Sequence, residues 1–437
     1  MLGESQCLDL VSAALSACDC DQAEVIVHHT NSSLTRFAES RIHQNVAEAN
    51  GLISVRAITG RKLGCARTNQ LTADEARSTA RRALDLARVA SEDQDFVSLP
   101  GPQPIPSVSG FAEATAASTP ESRASVARAI AGIAARSGCV ASGSVAAEAS
   151  ELVIGNSLGV RAYAPLSQAS TVLVVTDDQS SGYADWRGID ISKFDATALA
   201  ETATRKCVDG RGAETISPGD YAVILEPAAA GELVMFLGYL GLGALALQEG
   251  RSFLTDRLGE KAMGDNITIW DDATDPRGLA TPFDWEGQPK QKVMLIENGV
   301  ARNVVYDSYT ANKEGKQTTG HALPAPNTAG PLPLNLFLAS GDASMDEMIA
   351  STQRGILVTR FHYVNIVHEK DTILTGMTRD GTFLIENGKR TKPLKNLRFT
   401  QSIVEALSNV ETIGKESALA EYAYVPPLKI NGFSFTS

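Results

Sequence analysis

The chain lacks a basic excess, a long uncharged apolar run, a cysteine framework and a phosphate-binding glycine loop. Each absence closes off a class of function. Its 437 residues carry a formal net charge of −12, which repels nucleic acid and acidic membrane surfaces, so direct DNA binding is not expected. The longest apolar stretch, Pro227 to Leu247, contains Glu232 and four glycines, so it is expected as a buried helix rather than a membrane span. Met1-Leu2-Gly3-Glu4-Ser5 offers neither the basic nor the apolar segment of a secretory leader. The six cysteines (Cys7, Cys18, Cys20, Cys65, Cys139, Cys207) all fall in the first half, without the tight spacings of a disulfide framework. Reduced thiols and a cytoplasmic setting are the expectation. No glycine-rich loop with its lysine occurs, and no G-x-G-x-x-G lies between a strand and a helix, so no nucleotide cofactor is expected.

Zinc hydrolysis is equally short of parts. It needs two or three His, Cys or carboxylate ligands converging on one ion, with a carboxylate nearby to handle the proton. His368-Glu369 is the only His-Glu pair, and a second helix-face histidine would fall at Thr372 or Ile373. His28 and His29 are adjacent on an expected strand and point to opposite faces. Cys18 and Cys20 are poorly placed at two-residue spacing on a helix end. No metal site is expected. Gly155-Asn156-Ser157-Leu158-Gly159 fits the pattern of a nucleophile elbow, but an elbow needs a helix after it. Val160 to Pro165 reads as strand, so the segment is expected as a hairpin turn.

What is present is the pattern of a soluble globular protein, with 43% hydrophobic and 21% charged residues and length enough for two or three domains. Ser5 to Cys18 has helical spacing. Alternation marks strands at Ala23–Val27, Leu34–Phe37, Leu52–Ile58 and Leu63–Ala66. Thr72-Ala73-Asp74-Glu75 is a capping box opening a helix to about Ala90. A stiff Pro-rich linker follows from Leu99 to Pro106. Then the order returns: helix from Ser118 to Arg136, strands from Val140 to about Val175, helix from Ala196 to Val208. The repeated order hints at an internal duplication. Pro218-Gly219 opens a third region, with a strand at Tyr221–Leu225, the apolar helix, and short strands to the end. Hairpin turns rather than crossover helices join the strands, so the fold class is α+β. The expected division is residues 1–98, a linker at 99–117, residues 118–216, and a β-rich region at 217–437 around the buried apolar helix. Leu323 to Pro333 is a long Pro-rich connection of the kind that tends to be functional or mobile.

The richest segment is Thr375 to Gly388, expected as two reverse turns and a strand with three ionisable side chains held between glycines. Its Glu386-Asn387-Gly388 repeats Glu297-Asn298-Gly299, and Asn-Gly between alternating apolar residues signals a two-residue hairpin. Polar residues cluster around these turns: Tyr306 and Asp307, Asp284-Trp285-Glu286-Gly287, Arg360, and Arg379 with Asp380. Arg and Asp near sheet turns are most often a surface salt bridge. The functional alternative is a polar lining that hydrogen-bonds a peptide main chain, with Tyr306, Asp307, Arg360, Arg379 and Asp380 as lining candidates.

Taken together, these segments resemble the TldD/PmbA family, whose members were once labelled modulators of DNA gyrase. The resemblance runs through Ala23–Val27, Arg41–Val46, Ser54-Val55-Arg56 and Asn156–Val160. It continues through Ser252-Phe253-Leu254, Arg257-Leu258-Gly259, Asp271-Asp272, Asp284–Gly287, the two Glu-Asn-Gly turns, Tyr306-Asp307 and Thr319-Gly320. It implies cytoplasmic proteolysis of unfolded or modified peptides. TldD-type members carry an H-E-x-x-x-H zinc helix and a further cysteine ligand near the C-terminus. Here the corresponding helix is Ala228 to Gln248, without histidine, and the segment matching the cysteine is Gly414 to Pro427, without cysteine. The closer resemblance is therefore to the TldE/PmbA-type subunit, which pairs with a zinc-bearing TldD-type subunit around a peptide tunnel. Two other readings stay open. One is a self-sufficient homodimeric peptidase with His321, His362 or His368 as general base. The other is a regulatory protein linked to gyrase without touching DNA.

Overall fold

The computed structural model describes all 437 residues. Helix α1 (Glu4–Ser16), strands β1 (Gln22–Ala38), β2 (Arg41–Thr59) and β3 (Lys62–Thr68), and helix α2 (Ala73–Val89) form a first unit. After the short α3 (Glu113–Ala116) the order repeats as α4 (Pro120–Arg136), β4 (Val140–Asn156), β5 (Arg161–Thr176), β6 (Ser181–Gly188) and α5 (Ala196–Asp209). Strand β1 runs antiparallel to β4, Glu24 opposite Asn156 through to Phe37 opposite Gly143. The two units therefore share one six-stranded sheet of order β3-β2-β1-β4-β5-β6, symmetric about the β1–β4 seam. Both halves use the same packing device. A Cβ on Gly64 of β3 would stand 2.2 Å from Ala83 O and from Ala87 N of α2, and one on Gly182 of β6 would stand 2.1 Å from Ala203 O of α5. Only a residue without a side chain lets the outer strand touch the helix backbone in this way.

Alternation along the strands decides which face is covered. Val25, Val27, Ile53 and Val55 pack under α1 and α2 with Ala76, Ala80 and Ala83. Phe37, Val145, Leu173 and Val175 pack under α4 and α5. The opposite parity, Ile26, Leu152, Ile154 and Ala162, packs on Phe283 from the C-terminal region. Thr72 caps α2 by accepting from the Glu75 amide, so half of the expected box forms. Between these cores the sheet is polar, and β2 from Arg41 to Asn50 is exposed apart from the half-buried Val46. The Asn156–Gly159 segment is the β4–β5 turn, with Asn156 Oδ1 accepting from Leu158 N and Val160 N.

The C-terminal region comprises β7 (Gly219–Leu225), α6 (Pro227–Gly241), α7 (Ala244–Gln248), β8 (Ile269–Asp271), β9 (Val293–Glu297), β10 (Val300–Ala301), α8 (Ser308–Lys313) and β11 (Leu336–Leu338). It continues through α9 (Met345–Ala350), β12 (Arg354–His368), β13 (Ile373–Glu386), β14 (Lys389–Pro393), β15 (Arg398–Ser402) and α10 (Ile403–Ser408). It ends with β16 (Val410–Ile413), β17 (Ala418–Ala420), β18 (Ala423–Val425) and β19 (Leu428–Phe435). Because β12 pairs with both β7 and β13, the path β12-β7-β19-β15-β13 closes on itself. A second sheet has the order β10-β9-β8-β11-β18-β17. Helix α6 touches β11, β12, β17 and β18 and buries Leu233, Val234, Leu237 and Leu240 in the largest core.

Two expectations change. The apolar helix is broken after Gly241 and resumes at Ala244. A Cβ on Gly243 would stand 2.2 Å from Pro331 O, and one on Gly241 2.5 Å from the Phe253 ring. Close approach by the Pro-rich connection explains Gly243, and packing against Phe253 explains Gly241; the helix breaks between them. Thr375 to Gly388 is also not a pair of turns. Its first twelve residues belong to the single strand β13, and Asp380 (φ 55°) with Gly381 (φ 130°) forms a bulge within it. Asn387-Gly388 and Asn298-Gly299 do make the expected turns, with φ of 50° and 73°, and of 49° and 78°. No helix is long and apolar enough to cross a membrane.

Candidate functional site

A groove of about 300 Å³ opens where the shared sheet meets the C-terminal region. Strand β6 contributes Tyr183 and Asp185, α6 contributes Glu232, Met235 and Phe236, and β12 contributes Arg360, His362 and Tyr363. The β17–β18 turn adds Ala420 and Glu421. Ser181 Oγ donates to Asp380 Oδ1 at 2.6 Å, tying β6 to β13 beneath the groove. Arg360 Nε donates to Asp380 Oδ2 at 2.8 Å, and the guanidinium makes a second, shorter bond to the same oxygen. Its Cζ lies 4.2 Å from the centroid of the Tyr183 ring. The guanidinium is thus held flat by a carboxylate and an aromatic face.

Backbone strain concentrates here. Of nine non-glycine residues with positive φ, three surround this groove: Tyr363 (57°), Asp380 (55°) and Glu421 (52°). Such conformations cost on the order of 1–3 kcal/mol each and persist where the surroundings over-determine them, often at functional sites. Tyr363 is also 80% exposed at the groove mouth.

The electrostatics are acidic. Burial, with Glu421 adding to it, pushes the Asp185 carboxyl up to about 6. Burial pushes Glu232 up to about 7, against a lowering influence from Arg360. His362 is shifted the other way, by burial and then by Arg379 and Arg360, and is the neutral imidazole at neutral pH. Behind the wall, Lys206 Nζ donates to Glu226 at 2.5 Å and to Tyr183 O at 3.2 Å.

The expected site residues divide. Arg360 and Asp380 form the ion pair just described. Arg379, half exposed, reaches Asp380 Oδ1 only at 3.9 Å. His362 lines the groove, but His321 and His368 do not. His321 is fully buried and bonded through Nε2 to Asp271 at 2.8 Å, while His368 sits exposed beside Asp371. Tyr306 and Asp307 lie elsewhere. Asp307 caps α8, accepting from Thr310 N and Oγ1 at 2.8 and 2.6 Å. The Tyr306 hydroxyl lies between Glu314 and Lys316. The neighbouring Asp284–Gly287 turn joins the two regions. Arg56 Nη2 bridges Glu24 at 2.9 Å and Glu286 at 3.3 Å, and Glu286 Oε2 accepts from Ser308 N. Sequence reasoning missed Tyr183, Asp185 and Glu421 as groove residues. Glu232 did carry a signal, as the one charge in an apolar helix.

One group of side chains has metal-ligand chemistry. Cys139, Asp177 and Cys207 bring ligand atoms within 4.8 Å of one another. Arg211 already occupies it, 2.6 Å from Asp177 Oδ2 and 3.8 Å from Cys139 Sγ. The Cys18 and Cys20 thiols, expected to be badly placed, come within 3.2 Å, because Cys20 lies in the turn beyond α1 and folds back.

A shared sheet flanked by helices, joined to a closed β domain around a buried helix, is the architecture of the PmbA/TldA metallopeptidases. Residues 218–437, just over half of the chain, match the PmbA/TldA metallopeptidase C-terminal domain, and residues 23–87 match PmbA/TldA metallopeptidase domain 1. The chain belongs to this family. Among curated relatives, a metalloprotease TldD homolog from Buchnera aphidicola is 28% identical over 230 residues, covering 51% of this chain and 45% of that protein. The chain thus matches about half the length of such relatives. Among solved structures, TldE from Thermococcus kodakarensis superimposes with a TM-score of 0.91 at 19% identity, covering 99% of this chain and all of that one. A Thermotoga maritima protein named for modulation of a DNA gyrase gives 0.85 at 19% identity, covering 95% and 96% of the two chains. At these identities the structures establish the fold.

Proposed function

We propose that this chain is the TldE/PmbA-like, non-zinc subunit of a cytoplasmic peptidase assembly, holding peptide in the groove while a TldD-type partner supplies hydrolysis. One observation carries the reading. The helix and the C-terminal segment on which the family resemblance places zinc ligands meet at this groove, with α6 packed on β17 and β18. What they present there is Ala228, Glu232, Met235, Phe236, Ala420 and Glu421. Two carboxylates among methyl groups, a thioether and a phenyl ring, with no imidazole or thiolate from either segment, are a poor donor set for a hydrolytic zinc. With one neutral imidazole and scattered carboxylates, the lining suits holding a chain better than activating water. Arg360, its Nε and Nη2 edge taken by Asp380, fixes the groove wall, and the aromatic rim can cover apolar side chains.

The test is to purify the chain alone and together with a TldD-type subunit from the same host. The expected result is a stable complex, peptide binding by the chain alone, and cleavage only by the complex. About one zinc per chain with chelator-sensitive cleavage by the isolated chain would sink the proposal.

A further inference from the structure

We propose that the groove selects peptides through a primary ammonium group, seated between Asp185 and Glu232 under the rings of Tyr363 and Phe236. This rests on the peptide-holding reading above and names the chemistry of what is held. Five carboxylates stand in or behind the groove, and three are already matched. Glu226 is bonded to Lys206, Asp380 to Arg360, and Glu421 to Arg187 at 2.6 Å. Arg379 adds only its long contact to Asp380, which is already paired. Asp185 and Glu232 make no ion pair, although the Tyr183 hydroxyl bonds to Asp185 and Lys206 and Arg187 act on it at a distance. Glu232 accepts no hydrogen bond from the chain, and Arg360 acts on it only at a distance. Both are partly buried, and a carboxylate drawn out of water is ordinarily paired, because it otherwise loses hydration for nothing in return. Both are pushed towards the neutral form, and both line the same groove, where a positive partner would reverse that shift.

The walls fit the same ligand independently. With the Tyr183 face already taken by Arg360, Phe236 and Tyr363 are the aromatic rings left to line a space of about 300 Å³, and aromatic faces attract alkylammonium ions. Tyr363 is held in a left-handed conformation at the mouth with its ring in solvent. An anionic ligand would find the one lining guanidinium already spent on Asp380. Both a peptide amino terminus and a lysine side chain carry the required group.

The test measures binding of the full-length chain to four forms of one peptide labelled at its C-terminus. The forms have a free amino terminus without lysine, an acetylated terminus with one lysine, both groups, or an acetylated terminus with norleucine for lysine. The neutral form is expected to bind about tenfold more weakly or worse, as befits loss of a charge-assisted hydrogen bond. The first two forms tell terminus from side chain. Glu232→Gln should abolish the preference while holding or raising the melting temperature, and Asp185→Asn provides a second variant. Equal binding of charged and neutral forms, or a preference that survives both substitutions, would overturn the inference and leave peptide holding intact. No binding of any form would overturn both.

Discussion

Glu24 offers the sharpest test of how the two halves of the molecule are joined. It is buried where the shared sheet meets the C-terminal region, with its Oε2 2.9 Å from Arg56, which also reaches Glu286. Burial raises its carboxyl from an ordinary 4.5 to about 7, with Arg56 opposing and Glu286 adding to the rise. One arginine cannot offset two buried anions. A group whose pKa is higher in the folded than in the unfolded state contributes stability that is complete below the unfolded value and lost as pH rises through the folded one. A rise of this size corresponds to about 3 kcal/mol, lost between about pH 4.5 and pH 7. Glu24→Gln keeps the shape of the neutral acid and leaves Arg56 paired with Glu286. The variant should stay within about 1 kcal/mol of the parent near pH 5 and be more stable by up to about 3 kcal/mol near pH 8. Urea midpoints of both proteins at the two pH values would show this. If the difference between them does not change with pH, or if the variant is the weaker protein at the higher pH, the joint is not overcharged and the reasoning is wrong.

Other outcomes follow from the packing. Gly64→Ala and Gly182→Ala should each lower stability by about 1–3 kcal/mol or more, since the new methyl meets helix backbone that cannot turn aside; thermal unfolding measures it. Gly132→Ala lies in α4 with open space around it, and should instead raise stability by about 0.5–1 kcal/mol. A loss there would mean that α4 is not the helix described. Asp380→Ala strips Arg360 of its partner and should cost about 3 kcal/mol, read by chemical denaturation. An unchanged midpoint would show the pair to be solvent-screened. Asn387→Ala, at φ 50°, should cost about 1 kcal/mol by forcing a left-handed conformation on a residue with no side-chain compensation.

The turns were legible in the sequence because their chemistry is local: Asn-Gly needs two positive φ values, and both pairs have them. The glycines of the apolar helix were legible too, since a missing side chain in a packed stretch implies a close neighbour. Strand lengths were not. The run from Thr30 to Ser33, between two expected strands, looks unlike a strand because both sheet faces are partly open there, so no apolar alternation is imposed. The bulge at Asp380-Gly381 imitated a turn, because two adjacent residues with positive φ carry the same signature inside a strand as outside it. The groove was the least legible feature. Tyr183, Glu232, Arg360 and Glu421 come from four separate elements, and nothing local to any of them announces the others.

The seam between β1 and β4 makes each half the other's protective covering. Cut the chain in the Pro-rich linker and each piece would present a strand edge fourteen residues long, with the amides and carbonyls of alternate residues bare, matched in length to the edge it had lost. Such a piece could satisfy itself only against a second molecule. A fused pair of this kind carries its own antidote to stickiness within a single polypeptide.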